Sequence, residues 1–278
     1  MQNRTAKMLV TLVSTLLGLM IANNFASADA ASTQSILRVG VDGSFAPLSF
    51  KDSDDKLKGM DVEIAEQLAK SLKAKLELQT GTEEQLRTKL FGGEIDIVIA
   101  GTFATFGDRH DYEAIPYVEI PGQWIRSSKT KDSAPIKTIG TISYQLIREY
   151  FEQNKKIRKW NRIRGYEKFD SIVLALDRNE VDAIPVDSAH APALTAKIKT
   201  PTKMFPMRQH GVPVYALIRK STEPSTTKTI KELNRMIDDG LTSKICSANF
   251  KTPCFKPTKL KNIAVTTPKS VKAIKPKG

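Results

Sequence analysis

Gly93-Glu94-Ile95-Asp96-Ile97-Val98-Ile99-Ala100-Gly101 is the stretch that decides the fold class. Apart from Asp96, Ile95–Ala100 is apolar throughout, as in a central parallel strand buried on both faces. Upstream, Leu37, Val39 and Val41 alternate with other residues and predict a strand, followed by a turn at Asp42-Gly43-Ser44-Phe45-Ala46-Pro47. From Asp61 to Lys73, Ile64, Ala65, Leu68, Ala69 and Leu72 recur at helical spacing with charged residues opposite. A strand around Leu76 and Leu78 and a short helix carrying Leu86 and Leu90, stopped at Gly92-Gly93, complete the series. Strand, helix, strand, helix, strand is the order of an α/β lobe with a mostly parallel sheet.

The same order recurs downstream. A strand at Ile139–Ile142 precedes a helix with Leu146, Ile147, Tyr150 and Phe151. A strand at Trp160–Arg164 precedes a helix with Phe169, Ile172, Val173 and Leu176, and a strand at Val181–Val186 closes the series. The two series share a phrase, Leu90-Phe91-Gly92-Gly93-Glu94-Ile95-Asp96 answering Leu176-Asp177-Arg178-Asn179-Glu180-Val181-Asp182. Gly93 and Asn179 are residue types that accept the left-handed conformation ending a helix. After Ala189 come a short helix, an extended stretch at Val212–Arg219 and a helix around Ile230, Leu233 and Ile237. Gln123–Arg126 and Val212–Arg219 are expected to cross between two lobes as a two-strand hinge, with the ligand in the cleft. The expected boundaries are lobe 1 over 36–122 and 216–255, and lobe 2 with its hinge strands over 123–215.

The first 28 residues read as a secretory signal peptide: Arg4 and Lys7, an apolar or small-residue run from Met8 to Ala22, then Ala26-Ser27-Ala28. The run is shorter than the ~20 residues that span a bilayer and a small-x-small site follows it, which argues against the competing reading, a retained anchor. Export to the periplasm follows. The remaining 250 residues exceed one typical core and suggest two domains or one large one. Cys246 and Cys254, the only cysteines, are expected to pair as a local disulfide in an oxidising compartment. A redox or metal pair competes, but the spacing fits no common metal motif and no His lies nearby. No metal site and no cofactor are expected.

Net charge is +13, yet residues 256–278 hold seven lysines and no acid, so the rest carries only +6. The tail's Pro, Thr and Lys content predicts a disordered extension, either solubilising or in contact with anionic lipid or an acidic partner. The body lacks a dense basic and aromatic patch, which argues against nucleic-acid binding.

The phrases Leu37-Arg38-Val39-Gly40-Val41-Asp42, Phe45-Ala46-Pro47-Leu48-Ser49-Phe50, Lys58-Gly59-Met60-Asp61-Val62-Glu63-Ile64-Ala65 and Gly93–Gly101 carry a family likeness. So do Pro116-Tyr117 and Glu180-Val181-Asp182-Ala183 leading to Val186-Asp187-Ser188. Over roughly residues 36–250 the sequence resembles the type II periplasmic solute-binding proteins, specifically the polar amino acid-binding family of ABC importers (bacterial extracellular solute-binding protein family 3). The resemblance implies two α/β lobes that close on a small polar solute, such as an amino acid, and present it to a transporter permease. A monomer is expected.

It further implies that Phe45 stacks on the ligand, with an ordinary core residue as the alternative. Asp187 looks like the carboxylate that holds a ligand ammonium group, with a helix N-cap as the alternative. Asp42 lines the cleft similarly. Gly101, Thr102 and Arg109 contribute from the first lobe, Arg109 as a bidentate grip on a ligand carboxylate. Arg109 stands one residue later than in the family, which places Phe103 and Asp108 where a Thr and the Arg are usual; Thr102 or Thr105 is the compensating hydroxyl. In the second lobe Tyr144-Gln145 replaces the usual Gly followed by Ser or Thr, so Gln145 is the candidate at that helix N-terminus. His110, His190 and His210 read as isolated surface or structural residues.

Two other function classes share the fold. One is an accessory periplasmic protein that partners a quinoprotein dehydrogenase or a sensor and binds no solute; the altered pocket and basic tail suit it. The other is a cyclohexadienyl dehydratase-like enzyme, which needs a poised acid or base in the cleft. No nucleophile constellation accompanies Asp42 and Asp187, so an enzyme is not expected.

Overall fold

The computed structural model describes residues 34–101, 112–142, 160–166, 168–196, 198, 200–207 and 211–258. The expected signal peptide, the helix around Leu146–Phe151 and residues 259–278 lie outside them.

In chain order the first half supplies β1 (Ile36–Val41), three short strands β2 (Ser44–Phe45), β3 (Ser49–Lys51) and β4 (Leu57–Lys58), and helix α1 (Met60–Leu72). It continues with β5 (Lys75–Thr80), α2 (Glu83–Gly92), β6 (Ile97–Ile99) and β7 (Tyr112–Ile120). The second half supplies β8 (Gly122–Ser127), β9 (Thr138–Ile142), β10 (Arg162–Tyr166), α3 (Phe169–Asp177), β11 (Ile184–Asp187), α4 (Ala191–Thr195) and β12 (Thr202–Pro206). The chain ends with β13 (Val212–Arg219), α5 (Pro224–Asp238) and α6 (Leu241–Phe250).

The principal sheet has the order β5-β1-β6-β13-β7. Its first three strands are parallel, because helices connect them, α1 leading into β5 and α2 into β6; β13 and β7 add antiparallel. The α/β class stands, while the mostly parallel sheet expected for each half is a mixed one. As expected, β6 is buried on both faces. Ile97 and Ile99 join the core under α1 and α5, whereas Val98 packs with Leu86 and Leu90 of α2. That alternation follows from the two-residue period of a strand.

The second half is built likewise. β8 is central in β11-β8-β12, with both neighbours antiparallel, and β9 and β10 pair in parallel. A parallel bridge between Ile139 and Ala183 joins the two groups. α3 closes one face, where Ile172, Ala175 and Leu176 meet Ile125 and Ile184. A Cβ at Gly140 would lie 2.9 Å from Ile172 Cγ2, so the glycine permits the close approach of α3 to β9.

The twin phrases perform the same work twice. Gly93 and Asn179 each take positive φ, 75° and 55°, and turn the chain out of α2 and α3. Asp96 then accepts the Arg38 backbone N–H at 2.8 Å and the Arg38 guanidinium at 2.7 and 3.2 Å, while its own N–H donates to Arg38 O at 2.8 Å. Asp182 accepts the Lys137 and Thr138 backbone N–H groups at 2.9 and 2.7 Å, and its N–H donates to Thr138 O at 2.8 Å. Asp96 locks the return to β6 onto β1, and Asp182 locks the return to β11 onto β9.

Three expectations are corrected. Val212–Arg219 does not cross between halves; it is a fully built strand of the principal sheet, held between β6 and β7, where its apolar side chains are buried on both faces. Gln123–Arg126 likewise lies within β8, at the centre of the second half. The chain passes to the second half at Pro121, between β7 and β8, and is back at the first by Gly211, whose N–H the Glu119 carboxylate accepts. The third correction concerns the tail, expected to begin at Lys256. Phe255 pairs with Glu119 through N–H···O bonds of 2.9 and 3.0 Å, Pro257 is buried, and the Glu119 carboxylate accepts the Thr258 backbone N–H at 3.3 Å. Residues 255–258 are therefore tied to the end of β7 by backbone pairing and by a buried acid.

The disulfide forms between Cys246 and Cys254, with Cα atoms 5.9 Å apart, and delivers the chain from α6 to that pairing. A loop this short confines the unfolded chain by roughly 2 to 3 kcal/mol, so the Cys246→Ser/Cys254→Ser variant should lose about that much stability in urea titrations. Asp182→Ala should cost about 1 to 3 kcal/mol, since two backbone amides lose their acceptor. Recovery of part of that loss by Asp182→Asn would distinguish the hydrogen bonds from the charge.

Candidate functional site

The turn after β1 is built by Asp42. Its Oδ1 accepts the Ser44 backbone N–H at 2.9 Å and, over a short contact, the Ser44 hydroxyl, while Gly43 N–H donates to Ser49 Oγ at 3.1 Å. These bonds set the β2–β3 hairpin, in which Phe45 pairs with Ser49. Phe45 is half-buried, with one part packed on the principal core. Its ring also stacks on His190, with centroids 4.0 Å apart and planes 20° from parallel.

Asp187 ends β11 and is 1% exposed. Its Oδ1 accepts the His190 backbone N–H at 2.8 Å, and both carboxylate oxygens lie 2.9 Å from His190 Nδ1. An ionised carboxylate only accepts, so the Nδ1 proton faces it. Asp187 thus closes the turn that leads into α4 and holds the imidazole as well, but the N-cap of that helix is His190, not Asp187. His190 is not isolated: it joins Phe45 and Asp187, which lie 142 positions apart in sequence. Nothing in the spacing of the three signals this contact.

Gly101 follows β6 with φ 58°, and a Cβ there would lie 2.6 Å from Leu48 Cδ1. Only glycine fits both the conformation and the space. Its N–H donates to Tyr117 Oη at 3.2 Å, and the Tyr117 hydroxyl donates to Asp61 Oδ1 at 2.6 Å. Tyr117 and Asp61 are both fully buried. Asp61 Oδ2 has no hydrogen-bond partner among the described residues. Burial, opposed by the Tyr117 hydrogen bond and reinforced by the nearby Asp42 charge, pushes the Asp61 carboxyl up to about 7. Burial and the Asp61 charge raise the Tyr117 phenol in the same way.

The sequence carries a signal for Asp61 that hydropathy reading passes over. It stands in register with Ile64, Ala65 and Leu68 on the apolar stripe of α1, where a carboxylate is out of place unless it has a partner. Gly101, Tyr117 and Asp61 form one linked group; Asp42 is coupled to it electrostatically; Phe45, His190 and Asp187 form another. Thr102, Arg109 and Gln145 lie outside the described residues, together with Phe103, Thr105, Asp108, Tyr144, His110 and His210. Among the described residues no group of three or more His, Cys, Asp or Glu is placed to hold a metal ion. No helix among them is long and apolar enough to cross a membrane.

The raised Asp61 pKa has a signed consequence. The folded state holds this proton to about 7, whereas the unfolded chain releases it near 3.8. The group's contribution is therefore complete below pH 4 and is lost as pH rises to 7, by roughly 4 kcal/mol. Asp61→Asn should remove this slope and exceed the wild type in stability above pH 7, as read from denaturant midpoints between pH 4 and 8. Parallel pH profiles for the two proteins would contradict the assignment.

Known proteins resemble this chain. A probable histidine-binding protein of Neisseria gonorrhoeae is 26% identical over 175 residues, covering 59% of this chain; the chain spans only 63% of that relative's length. The L-cystine-binding protein TcyJ of Escherichia coli (strain K12) is 26% identical over 215 residues, covering 73% of this chain and 78% of the relative. Among solved structures, the L-cystine solute receptor of Neisseria gonorrhoeae in the unliganded open conformation aligns with a TM-score of 0.49 at 18% identity, covering 82% of this chain and 97% of that one. Residues 37–252 match the family described as Bacterial extracellular solute-binding proteins, family 3. With nearly all of the described fold inside that match, the chain belongs to this family of bacterial extracellular solute-binding proteins.

Proposed function

We propose that the protein is a non-catalytic receptor that closes on an amino acid or a related small polar solute and presents it to an ABC importer. One observation carries the reading: Phe45 of the first half and Asp187 of the second, an aromatic face and a buried carboxylate, converge on a single side chain. A solute with an ammonium group and an apolar or cationic side chain offers complementary chemistry to both. The names of the histidine- and cystine-binding relatives support the amino-acid class.

In this reading the lobes are residues 36–122 with 216–255, and 123–215, refined by the two crossings, one at Pro121 and one completed by Gly211. Hinge closure about these crossings is favoured by a solute that touches both lobes. Asp42, Phe45, Gly101, Thr102 and Arg109 serve from lobe 1, Gln145 and Asp187 from lobe 2. The protein works in the periplasm as a monomer after cleavage behind Ala28, and the basic tail serves as a solubilising extension, with contact to an anionic membrane surface as the alternative.

A thermal-shift screen of residues 29–278 against amino acids, polyamines, opines and small organic acids tests the reading. A ligand at a hundredfold excess over its dissociation constant raises stability by about 2.7 kcal/mol. Asp187→Ala should weaken that ligand by about 2 kcal/mol or more, because the ammonium group loses its partner. A blank across the panel would instead favour an accessory protein that acts by docking to a partner. Chemical conversion of an added acid would point to an enzyme.

A further inference from the structure

The face of Phe45 assigned to a ligand is covered by the protein itself. At a centroid separation of 4.0 Å and a 20° tilt, the His190 and Phe45 rings are in van der Waals contact and leave no room for a third group between them. The same imidazole directs Nδ1 at both oxygens of Asp187, 2.9 Å from each. One side chain therefore engages both groups that the proposed function reserves for solute, and it does so with the chemistry of a solute: a flat ring with an N–H donor, stacked on an aromatic face and bonded to a carboxylate.

The ring can leave without dismantling the turn. The His190 backbone N–H to Asp187 Oδ1 bond, 2.8 Å, does not depend on the side-chain rotamer. The side chain is 30% exposed, whereas that of Asp187 is 2% exposed, so the carboxylate stays in place while the imidazole has solvent to swing into. Once the ring has left, a buried carboxylate faces the vacated space and needs a donor in return.

We propose that His190 is an intramolecular occupant of the ligand site and thereby its specificity-determining residue. A solute binds only by displacing the imidazole from Phe45 and Asp187, so it must supply both a side chain that covers the phenyl face and an N–H donor for the carboxylate. Amino acids with flat or cationic side chains meet both demands; organic acids without an N–H group fail the second. Because only the fraction of molecules with the ring displaced is competent, occupancy by His190 lowers the apparent affinity for every solute by that fraction. The proposal rests on the receptor reading, and its tests separate the two.

The first test needs no ligand. In NMR spectra of the full mature chain, the His190 ring protons should carry an upfield ring-current shift from Phe45 that disappears in Phe45→Ala. Unshifted protons in the wild type would overturn the occupancy. The second compares wild type and His190→Ala by calorimetry against the amino-acid panel. At least tenfold tighter binding by the variant, or binding gained where the wild type has none, is expected. Equal or weaker binding by a folded variant would overturn the competitor role. In the wild type, saturating ligand should abolish the ring-current shift; a shift that persists in the complex would overturn displacement even if the variant failed to fold. Silence of both proteins across the panel, with the ring-current shift present, would overturn the receptor reading and the competitor role with it, while leaving the stacking established.

Discussion

Each half of this fold depends on one carboxylate that accepts backbone amides across a strand pair. Asp96 closes the first half on Arg38, and Asp182 closes the second on Lys137 and Thr138. A helix returning to a sheet must end abruptly and start a strand in the right register. The left-handed residue performs the first task and the aspartate the second, because an acceptor fixed to the returning strand can satisfy the N–H groups of its neighbour only at one offset. With the register set, β6 presents alternate residues to the two helical layers, and Gly101 emerges at the end of that strand against Leu48 and Tyr117.

The junction between halves uses a buried acid of a different kind. Glu119 is 2% exposed and accepts the Gly211 backbone N–H at 2.9 Å from beside the second crossing, along with the Thr258 N–H and hydroxyl. One side chain, two residues before the first crossing, thus binds Gly211 beside the second crossing and the end of the described chain. Amides that could not otherwise be paired at an irregular junction find their acceptor there. The disulfide has a structural place in the same assembly, since it leads α6 into the segment that reaches Glu119. Asp61 is the contrasting case: a buried carboxyl with one hydrogen bond from Tyr117, which is favoured while it keeps its proton.

Most of the fold was legible because its elements have strong local causes. The apolar stripe of α1, the alternation of β1, the apolar run of β6 and the paired stop signals at Gly93 and Asn179 all acted where expected. The strands that were misplaced, Gln123–Arg126 and Val212–Arg219, are extended in either setting. Extended character is a property of the segment, whereas membership of a sheet depends on which partner edge is free. Of the candidate site, residue types were legible and partners were not. Asp42 was read as lining a cleft and is found holding a turn; Asp187 was read as a ligand carboxylate or a cap and is found holding His190, which had been set aside.

The chain's own residues settle the α/β class and the twofold repetition of its grammar, since these rest on periodicity and φ preferences, and they offer Cys246 only Cys254 as a partner, while the bond itself is seen in the folded chain. The contacts of Phe45 with His190, of Tyr117 with Asp61 and of Glu119 with residues 211 and 258 belong to the folded state alone. They join positions from 56 to 145 residues apart, and whether such groups meet is decided by the packing of helices and sheets between them. No local preference records that outcome, because the energy that holds these pairs exists only once water has been excluded from around them.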